Sequence, residues 1–350
     1  MKLAYLHGIP QAKGSIRNNN ADFFVEEVMH FDLDGQGEHL WLWIEKDGQN
    51  TQYVAKQLAK IFGIAARLVS TSGMKDRHAI TRQWFCLPWP IKKDIPVIQV
   101  PGAKVLEQRR HGKKLKIGTH KTNRFKIRVR LSDYVEDELE TRLQKIKALG
   151  VANYFGEQRF GKYGDNVEQA CKMFSGEINV RDRKLKGLYL SAARSELFNQ
   201  ILNHRIEHNL FKPINGDAFV LNGSHSYFVE SQIQPQTLDR FAQGDILLSG
   251  AMFGDGEPIV QGEAADIENN VLSQYPQLTD GLIAENLKQD RRALQLPIEQ
   301  LSWTFEQQDT DAYLSLNFLL PAGCFATSVL REIVQYEDES KKNANTTEQR

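Results

Sequence analysis

The stretch TNRFKIRVRLS, residues 122–132, alternates apolar and basic side chains without a break. Successive side chains of an extended strand point to opposite faces, so Phe125, Ile127, Val129 and Leu131 line one side and Arg124, Lys126, Arg128 and Arg130 the other. This clear period of two commits the chain to a sheet. It also puts Asn123 on the apolar side with Phe125, at the open end of the strand.

Other elements follow from the same patterning. FFVEEVMHFDL and EHLWLWIEK read as two strands joined across DGQG, a glycine-rich hairpin signal. NTQYVAKQLAKIFG reads as a helix capped by Asn50 or Thr51, with Val54, Leu58 and Ile61 on one face and Gly63 as its stop. RQWFCLPW is a further strand. SDYVEDELETRLQKIKALG is a helix ending at Gly150, with acids in its first turn and lysines in its last, which complements the helix dipole. Beyond Gly150 the chain turns rich in glycine and aromatics, then helical, then turn-rich from Pro213 to Pro258, then helical to about Leu296. Strand texture returns at AYLSLNFLLPAG, followed by a short helix. The polar stretch from 338 to 350 has nothing to bury and is expected to be disordered. These changes of texture predict an α+β chain in which residues 1–149 and 298–337 form a discontinuous first domain and 150–297 an inserted one.

Bulk properties narrow the class. The 350 residues carry 44 basic and 44 acidic side chains, and 41% are hydrophobic, enough for real cores. Three cysteines, Cys86, Cys171 and Cys324, stand far apart with no CxxC, which favours reduced thiols and a cytoplasmic setting. No apolar run is long enough for a signal peptide or a membrane helix, and no obligate protein partner is evident. The neutral total conceals a local excess: from Lys104 to Arg130 there are eleven Lys or Arg residues and one acid, Glu107. An edge strand can use such charge to avoid aggregation. A phosphate-tracking surface uses it to release counterions, which makes Arg124, Lys126 and Arg128 candidate RNA contacts.

Three motifs bear on chemistry. HRIEH, 204–208, spaces two histidines one helical turn apart as a zinc pair requires. Leu197 and Ile201 already claim the core face of that helix, however, which puts the histidines on a solvated flank. The glycines of SGAMFGDGEP precede no helix and lack a P-loop lysine. TSGMKDRHAITRQW, 71–84, sets Asp76 between Lys75 and Arg77. Flanking positive charge favours an ionised carboxylate, and a positioned carboxylate can act as a base or a covalent nucleophile.

GMKDRHAITRQ resembles the catalytic motif of the tRNA pseudouridine synthase D (TruD) family, roughly G-x-K-D-[KR]-x-A-x-T-x-Q; Gly73, Lys75, Asp76, Arg77, Ala79, Thr81 and Gln83 all fit. Four further signatures occur in the family's order. RNNNADFFVEE matches K-x-x-P-x-D-F-x-V-x-E at Asp22, Phe23, Val25 and Glu27, with Arg17 in place of the lysine and Asn20 in place of the proline. NRF at 123–125 matches N-x-F, and NYFGEQRFG at 153–161 and LPAGCFATSVLRE at 320–332 are near-complete matches.

The resemblance implies a pseudouridine synthase core on a mixed, largely antiparallel sheet, interrupted by an inserted α/β domain. It implies isomerisation of a uridine in tRNA, typically position 13 of glutamate tRNA, without metal or organic cofactor. Asp76 would be the nucleophile on an extruded base, and Arg17, whose planar fork can hold a carboxylate, its ion-pair partner. Phe125 would stack on the uracil and Asn123 bond its edge, with Phe23 and Phe325 lining the pocket and Lys75 and Arg77 holding the aspartate or the backbone. Arg159 and Arg194 would contact tRNA from the inserted domain. Two rivals stand beside this: a tRNA-binding module without catalysis, and a zinc hydrolase using His204 and His208.

Overall fold

The computed structural model describes residues 3–161, 163–224 and 226–340. In chain order its elements are strands β1 (Lys13–Ile16), β2 (Phe23–Val28) and β3 (His39–Asp47), helix α1 (Thr51–Phe62), and strands β4 (Ser70–Thr71), β5 (Ile80–Pro88), β6 (Ala103–His111) and β7 (Thr122–Asp133). Helix α2 (Glu136–Leu149), strand β8 (Val151–Ala152), helices α3 (Asn166–Phe174) and α4 (Arg183–Glu207), strands β9 (Ala218–Leu221) and β10 (Tyr227–Val229) and helix α5 (Pro235–Ala242) come next. Strand β11 (Ile246–Met252), helices α6 (Gly262–Leu272) and α7 (Pro276–Ala284), and strands β12 (Asp290–Ala293) and β13 (Gln295–Leu296) follow. Strands β14 (Glu299–Gln308) and β15 (Asp311–Pro321), helix α8 (Ala326–Ile333) and strand β16 (Gln335–Asp338) complete the set.

They divide into two compact units. The first gathers Gln11–Leu139, Ile298–Ala326 and residues 333–340 around a sheet in the order β14-β15-β7-β2-β5-β3-β6, to which β1, β4 and β16 attach at the side. Only β2–β5 and β1–β16 pair in parallel within it. The fold is thus α+β on a mixed, largely antiparallel sheet. The expected β2–β3 hairpin does not form. Strand β5 lies between them, with Val25 beside Thr81 and Leu42 beside Phe85. Phe85, Cys86 and Leu87 are fully buried, so β5 needs a neighbour on each edge and takes a central place. The DGQG loop is tied instead to the end of β6, where Asp34 Oδ2 accepts from the Gly112 N–H at 3.2 Å.

Register across this sheet sets two unlike faces. One row holds Lys46, Thr81, Val25, Phe125 and Phe318, and the row nearer the open end holds Glu27, Asn123 and Leu320. Helix α1 covers part of this face, packing Val54, Leu58 and Phe62 on Leu40, Leu42, Phe85 and Leu87. Each such side chain contributes about 1.5–3 kcal/mol on burial. Asn50 caps α1 by accepting from the Gln52 N–H at 2.7 Å, and Gly63 ends it in the left-handed region at φ 64°. The opposite face carries Arg124, Lys126, Arg128 and Arg130 with Phe24, Glu26, Tyr313 and Ser315.

The polar stretch expected to be disordered from 338 needs a correction at its start. Asp338 ends β16, paired beside Ile16 of β1, because its carboxylate meets Arg17. Residues 341–350 lie outside the described residues.

The second unit gathers residues 3–10, Glu140–Pro297 and Thr327–Glu332. Helix α4 packs Ala193, Leu197 and Ile201 against Val271, Leu278 and Leu282, and the unit holds a four-stranded sheet in the order β10-β9-β11-β12. The section read as turns after Pro213 therefore contains strands β9, β10 and β11. Gly150, placed by sequence at a domain edge, lies inside this unit, where Arg142 of α2 donates to the carbonyls of Glu332, His7 and Gly8. Just beyond Gly150, β8 pairs antiparallel with β13, Val151 opposite Leu296. Gly150 has φ 69°, and a Cβ there would come within 2.4 Å of the Leu296 carbonyl oxygen, so only glycine fits. Among the described residues, no helix is long and apolar enough to cross a membrane.

Candidate active site

Asp76 sits on the loop between β4 and β5, and buried side chains hold that loop from beneath. Glu27, on the apolar side of β2, is fully buried; its carboxylate meets Lys75 Nζ at 2.9 Å, Ser72 Oγ at 2.7 Å and the Trp84 N–H at 3.1 Å. Lys46 donates to the Asp76 carbonyl oxygen at 2.6 Å. Thr51, freed from capping by Asn50, accepts from the Lys75 N–H at 3.1 Å and donates to Gln83 Oε1 at 2.9 Å. Gln83 in turn donates to the Gly73 carbonyl at 3.0 Å. A buried polar group without a partner costs about 1–3 kcal/mol, so these bonds over-determine one loop conformation. This explains the lysine and glutamine of the motif: both brace the backbone.

The Asp76 side chain is treated otherwise. It is 36% exposed, and its Oδ2 accepts one bond, from Arg17 Nη2 at 3.1 Å. Arg17 follows β1 with φ 57°, a left-handed conformation that costs a non-glycine residue roughly 1–3 kcal/mol. Two contacts hold it there: its guanidinium lies 4.0 Å over the Phe23 ring, and its Nη1 donates to Asp338 Oδ2 at 2.5 Å. Phe23 meets Phe125 edge-on at 6.5 Å, and Phe125 stacks on Phe318 at 5.3 Å. Beside them lie four buried polar atoms without a hydrogen-bond partner: Asn123 Oδ1, Thr81 Oγ1, His120 Nδ1 and Arg17 Nε. Native proteins rarely leave such atoms unpaired, so the presence of several near one loop calls for an explanation.

Two titratable groups in this neighbourhood are shifted. Burial lowers Lys46 from its ordinary 10.5 to about 8, helped by the charge of Lys75 and opposed by that of Asp76. Burial and Lys75 also push His120 down, against the pull of Glu27, so its ring is neutral near pH 7.

The structure brings Arg17, Phe23, Lys75, Asp76, Asn123 and Phe125 together. Lys75 faces inward to Glu27, its side chain 7% exposed. Arg77 is exposed, with Nε 3.4 Å from the Gly48 carbonyl. Phe325 is half-buried in the turn after β15, and that turn is tied to the start of β7 by the Ala322 N–H donating to the Lys121 carbonyl at 3.0 Å. Arg124 and Arg128 are not brought in. They occupy the opposite sheet face, where Arg124 pairs with Glu26 at 3.0 Å and Arg128 with Gln308 at 2.8 Å and the Tyr313 ring at 3.7 Å. Lys126 is exposed on that same face. Arg159 and Arg194 belong to the other unit, donating to Ser191 Oγ and to the Met252 and Lys288 carbonyls. His204 and His208 stack at 4.0 Å, with His208 Nδ1 turned back on the His204 carbonyl. Among the described residues, no group of three His, Cys, Asp or Glu side chains could hold a metal.

Sequence reasoning gave Lys46 and Asp338 no part in the site, took Thr51 for a possible helix cap, and named Gln83 and Glu27 only as motif positions. Lys46 had a signal: in HLWLWIEK it falls on the apolar side with Leu40, Leu42 and Ile44, where a lysine is out of place. Asp338 had none, being one acid in a polar run.

Comparison with known proteins places the chain in a family. The family model for tRNA pseudouridine synthase D (TruD) matches residues 2–177 and 165–333. A tRNA pseudouridine synthase D of Aeromonas salmonicida is 44% identical over 341 residues, covering 96% of this chain and 95% of that relative. One of Hydrogenovibrio crunogenus is 41% identical over 339 residues, covering 96% and 97%. A solved structure from Methanosarcina mazei, assigned to tRNA pseudouridine synthase D, shares the fold at a TM-score of 0.71 and 20% identity, over 94% of this chain and 95% of that one. With the family model spanning nearly all of it and relatives this similar end to end, the chain belongs to the tRNA pseudouridine synthase D family.

Proposed function

We propose that this protein is a tRNA pseudouridine synthase in which Asp76 attacks an extruded uridine, with position 13 of glutamate tRNA the first target to test. The observation that carries the proposal is the contrast within one residue. The Asp76 backbone is fastened by buried groups, while its half-exposed carboxylate keeps one oxygen unengaged. A base inside a stacked tRNA is out of reach, so the uridine must be everted into the site. The carboxylate then bonds to C1′ of the ribose or to the uracil ring; either route breaks the N1–C1′ bond, lets the base turn, joins C5 to C1′ and breaks the bond to the carboxylate again, displaced from C1′ by C5 or eliminated from the ring, so that Asp76 is returned free. The C5 proton is lost and N1 gains one, so the product is an isomer of the substrate.

Arg17 aims the carboxylate. Asn123, with its amide oxygen buried and unpaired, suits an N–H of the uracil edge. Phe125 and Phe23 are wall rather than platform: one face of Phe125 is taken by Phe318, and Phe23 carries the Arg17 guanidinium. Arg77, exposed and next to Asp76 in the chain, is suited to a phosphate. Arg124, Lys126 and Arg128, on the opposite face of the sheet, would reach only RNA that extends beyond the reacting nucleotide. A tRNA substrate and free cysteines fit a cytoplasmic enzyme.

Replacing Asp76 with Asn tests this. Tritium release from tRNA carrying [5-³H]uridine is expected to vanish while tRNA binding persists. Turnover by Asp76→Asn would sink the nucleophile and leave a binding module.

A further inference from the structure

Arg17 holds two carboxylates, and the second has no part in the chemistry described so far. Asp338, on β16, takes Arg17 Nη1 at 2.5 Å with the two side chains 8% and 10% exposed. Its other oxygen, Oδ1, accepts from the Ser340 N–H at 3.1 Å and Ser340 Oγ at 2.6 Å, so Asp338 is itself fixed. The parallel pairing of β1 and β16 sets Ile16 beside Asp338, which delivers the carboxylate to the residue after β1.

A guanidinium facing a single carboxylate closes on it with two parallel bonds. Such a bidentate grip would engage both oxygens of Asp76 and disfavour any step in which one must bond to carbon. Here Asp338 takes Nη1 and so removes the Nη1/Nη2 fork, one face of the guanidinium lies on Phe23, and Nε, which would complete the Nε/Nη2 fork, is buried and bonds neither carboxylate. Arg17 therefore reaches Asp76 through Nη2 alone and leaves Oδ1 open.

We propose that Asp338 is a positioning residue for the isomerisation: by holding one edge of Arg17 it restricts that arginine to a single bond with Asp76 and keeps one oxygen of the nucleophile available. The proposal rests on the nucleophilic role of Asp76, which the same assay checks separately. It also gives a physical sense to an arginine where the family pattern has lysine. A lysine has one ammonium and cannot close on a carboxylate as a fork, so it needs no such restraint.

The test measures single-turnover pseudouridine formation and tRNA affinity for the full chain and its Asp338→Asn, Ser340→Ala, Arg17→Lys and Arg17→Lys/Asp338→Asn variants. Misplacement of a reacting group costs up to about 100-fold. Asp338→Asn is expected to slow the chemical step about 10- to 100-fold with tRNA affinity within about two-fold. In the Arg17→Lys background the same change is expected to cost less than about three-fold, because no fork remains to restrain. Ser340→Ala, which leaves β16 and its pairing intact, is expected to give a smaller loss in the Arg17 protein only. An unchanged rate in Asp338→Asn overturns the proposal. So does an equal loss in both backgrounds, which would make Asp338 a support for the fold. Should Asp338→Asn fail to fold, an unchanged rate in Ser340→Ala overturns it instead. Turnover by Asp76→Asn would remove the nucleophile and this role together; an inactive Asp76→Asn beside an unaffected Asp338→Asn removes only the role of Asp338.

Discussion

Arg205 and Arg17 are both buried and both face an aspartate, yet only one of them is finished. Arg205 meets Asp217 with two bonds of 2.8 Å, donates its Nε to the Leu210 carbonyl at 3.1 Å, and the pair is 1% and 0% exposed. Asp217 accepts a further bond from the Ile214 N–H at 2.9 Å. Arg291 is satisfied in the same manner by Glu268 and Ser249. Arg17 gives one bond to each of two carboxylates, keeps Nε unpaired, and leaves Asp76 36% exposed. A fully satisfied pair has nothing left to offer a ligand and serves the fold; an incompletely satisfied one marks a place where chemistry is left to happen.

The largest effect expected from breaking this comparison is on turnover. Asp76→Asn should lower pseudouridine formation by roughly three orders of magnitude or more, as loss of a nucleophile does, while the thermal midpoint stays within about 2 °C because a single half-exposed bond is lost. The converse change, Asp217→Asn, strands the Arg205 charge in a dry interior. It should cost about 3–5 kcal/mol of stability, read as a fall in the urea midpoint, because removing one partner of a buried pair leaves the other uncompensated.

Lys46 gives a subtler probe. Its ammonium bonds the Asp76 carbonyl, with Lys75 and Asp76 the charges that bear on it. Raising the pH through about 8 removes its proton, so turnover should fall roughly ten-fold as a charge-assisted bond becomes a neutral one. Lys46→Arg, which stays charged, should abolish that limb. Stability should move the other way. The folded value of about 8 lies below the ordinary 10.5, so the unfolded chain holds the proton more tightly between the two. The cost of burying the charge is full below about 8 and is relieved as pH rises to 10.5. The smallest effect is expected on the far face of the sheet. Arg128→Ala removes a surface ion pair worth about 0–1 kcal/mol and should change turnover less than about two-fold.

Much of the fold was legible because period-two and period-three-to-four patterns are local. Strand β7, helix α1 and its Gly63 stop could be read directly, and so could the side on which Asn123 and Phe125 lie. Pairing was not legible. Nothing local in FFVEEV and HLWLWIEKD says that a third strand separates them; that depends on β5 being apolar on both faces and returning from distant sequence. The motif around Asp76 was readable as chemistry, but its supports were not. Thr51 looked like one of two caps, and only the structure shows that Asn50 does the capping and leaves Thr51 to the loop. The basic run near Arg124 shows the same limit: composition counts charges but cannot see Glu26, Glu306 and Asp311 brought across from β2, β14 and β15 to pair with Arg124, Arg128 and Arg130.

The antiparallel contact between β8 and β13 brings residues 151 and 296 side by side although well over a hundred residues separate them. A chain that leaves at Gly150 and comes back at Leu296 thus closes a long loop at its base, and any side chain at position 150 would strike the returning Leu296 carbonyl.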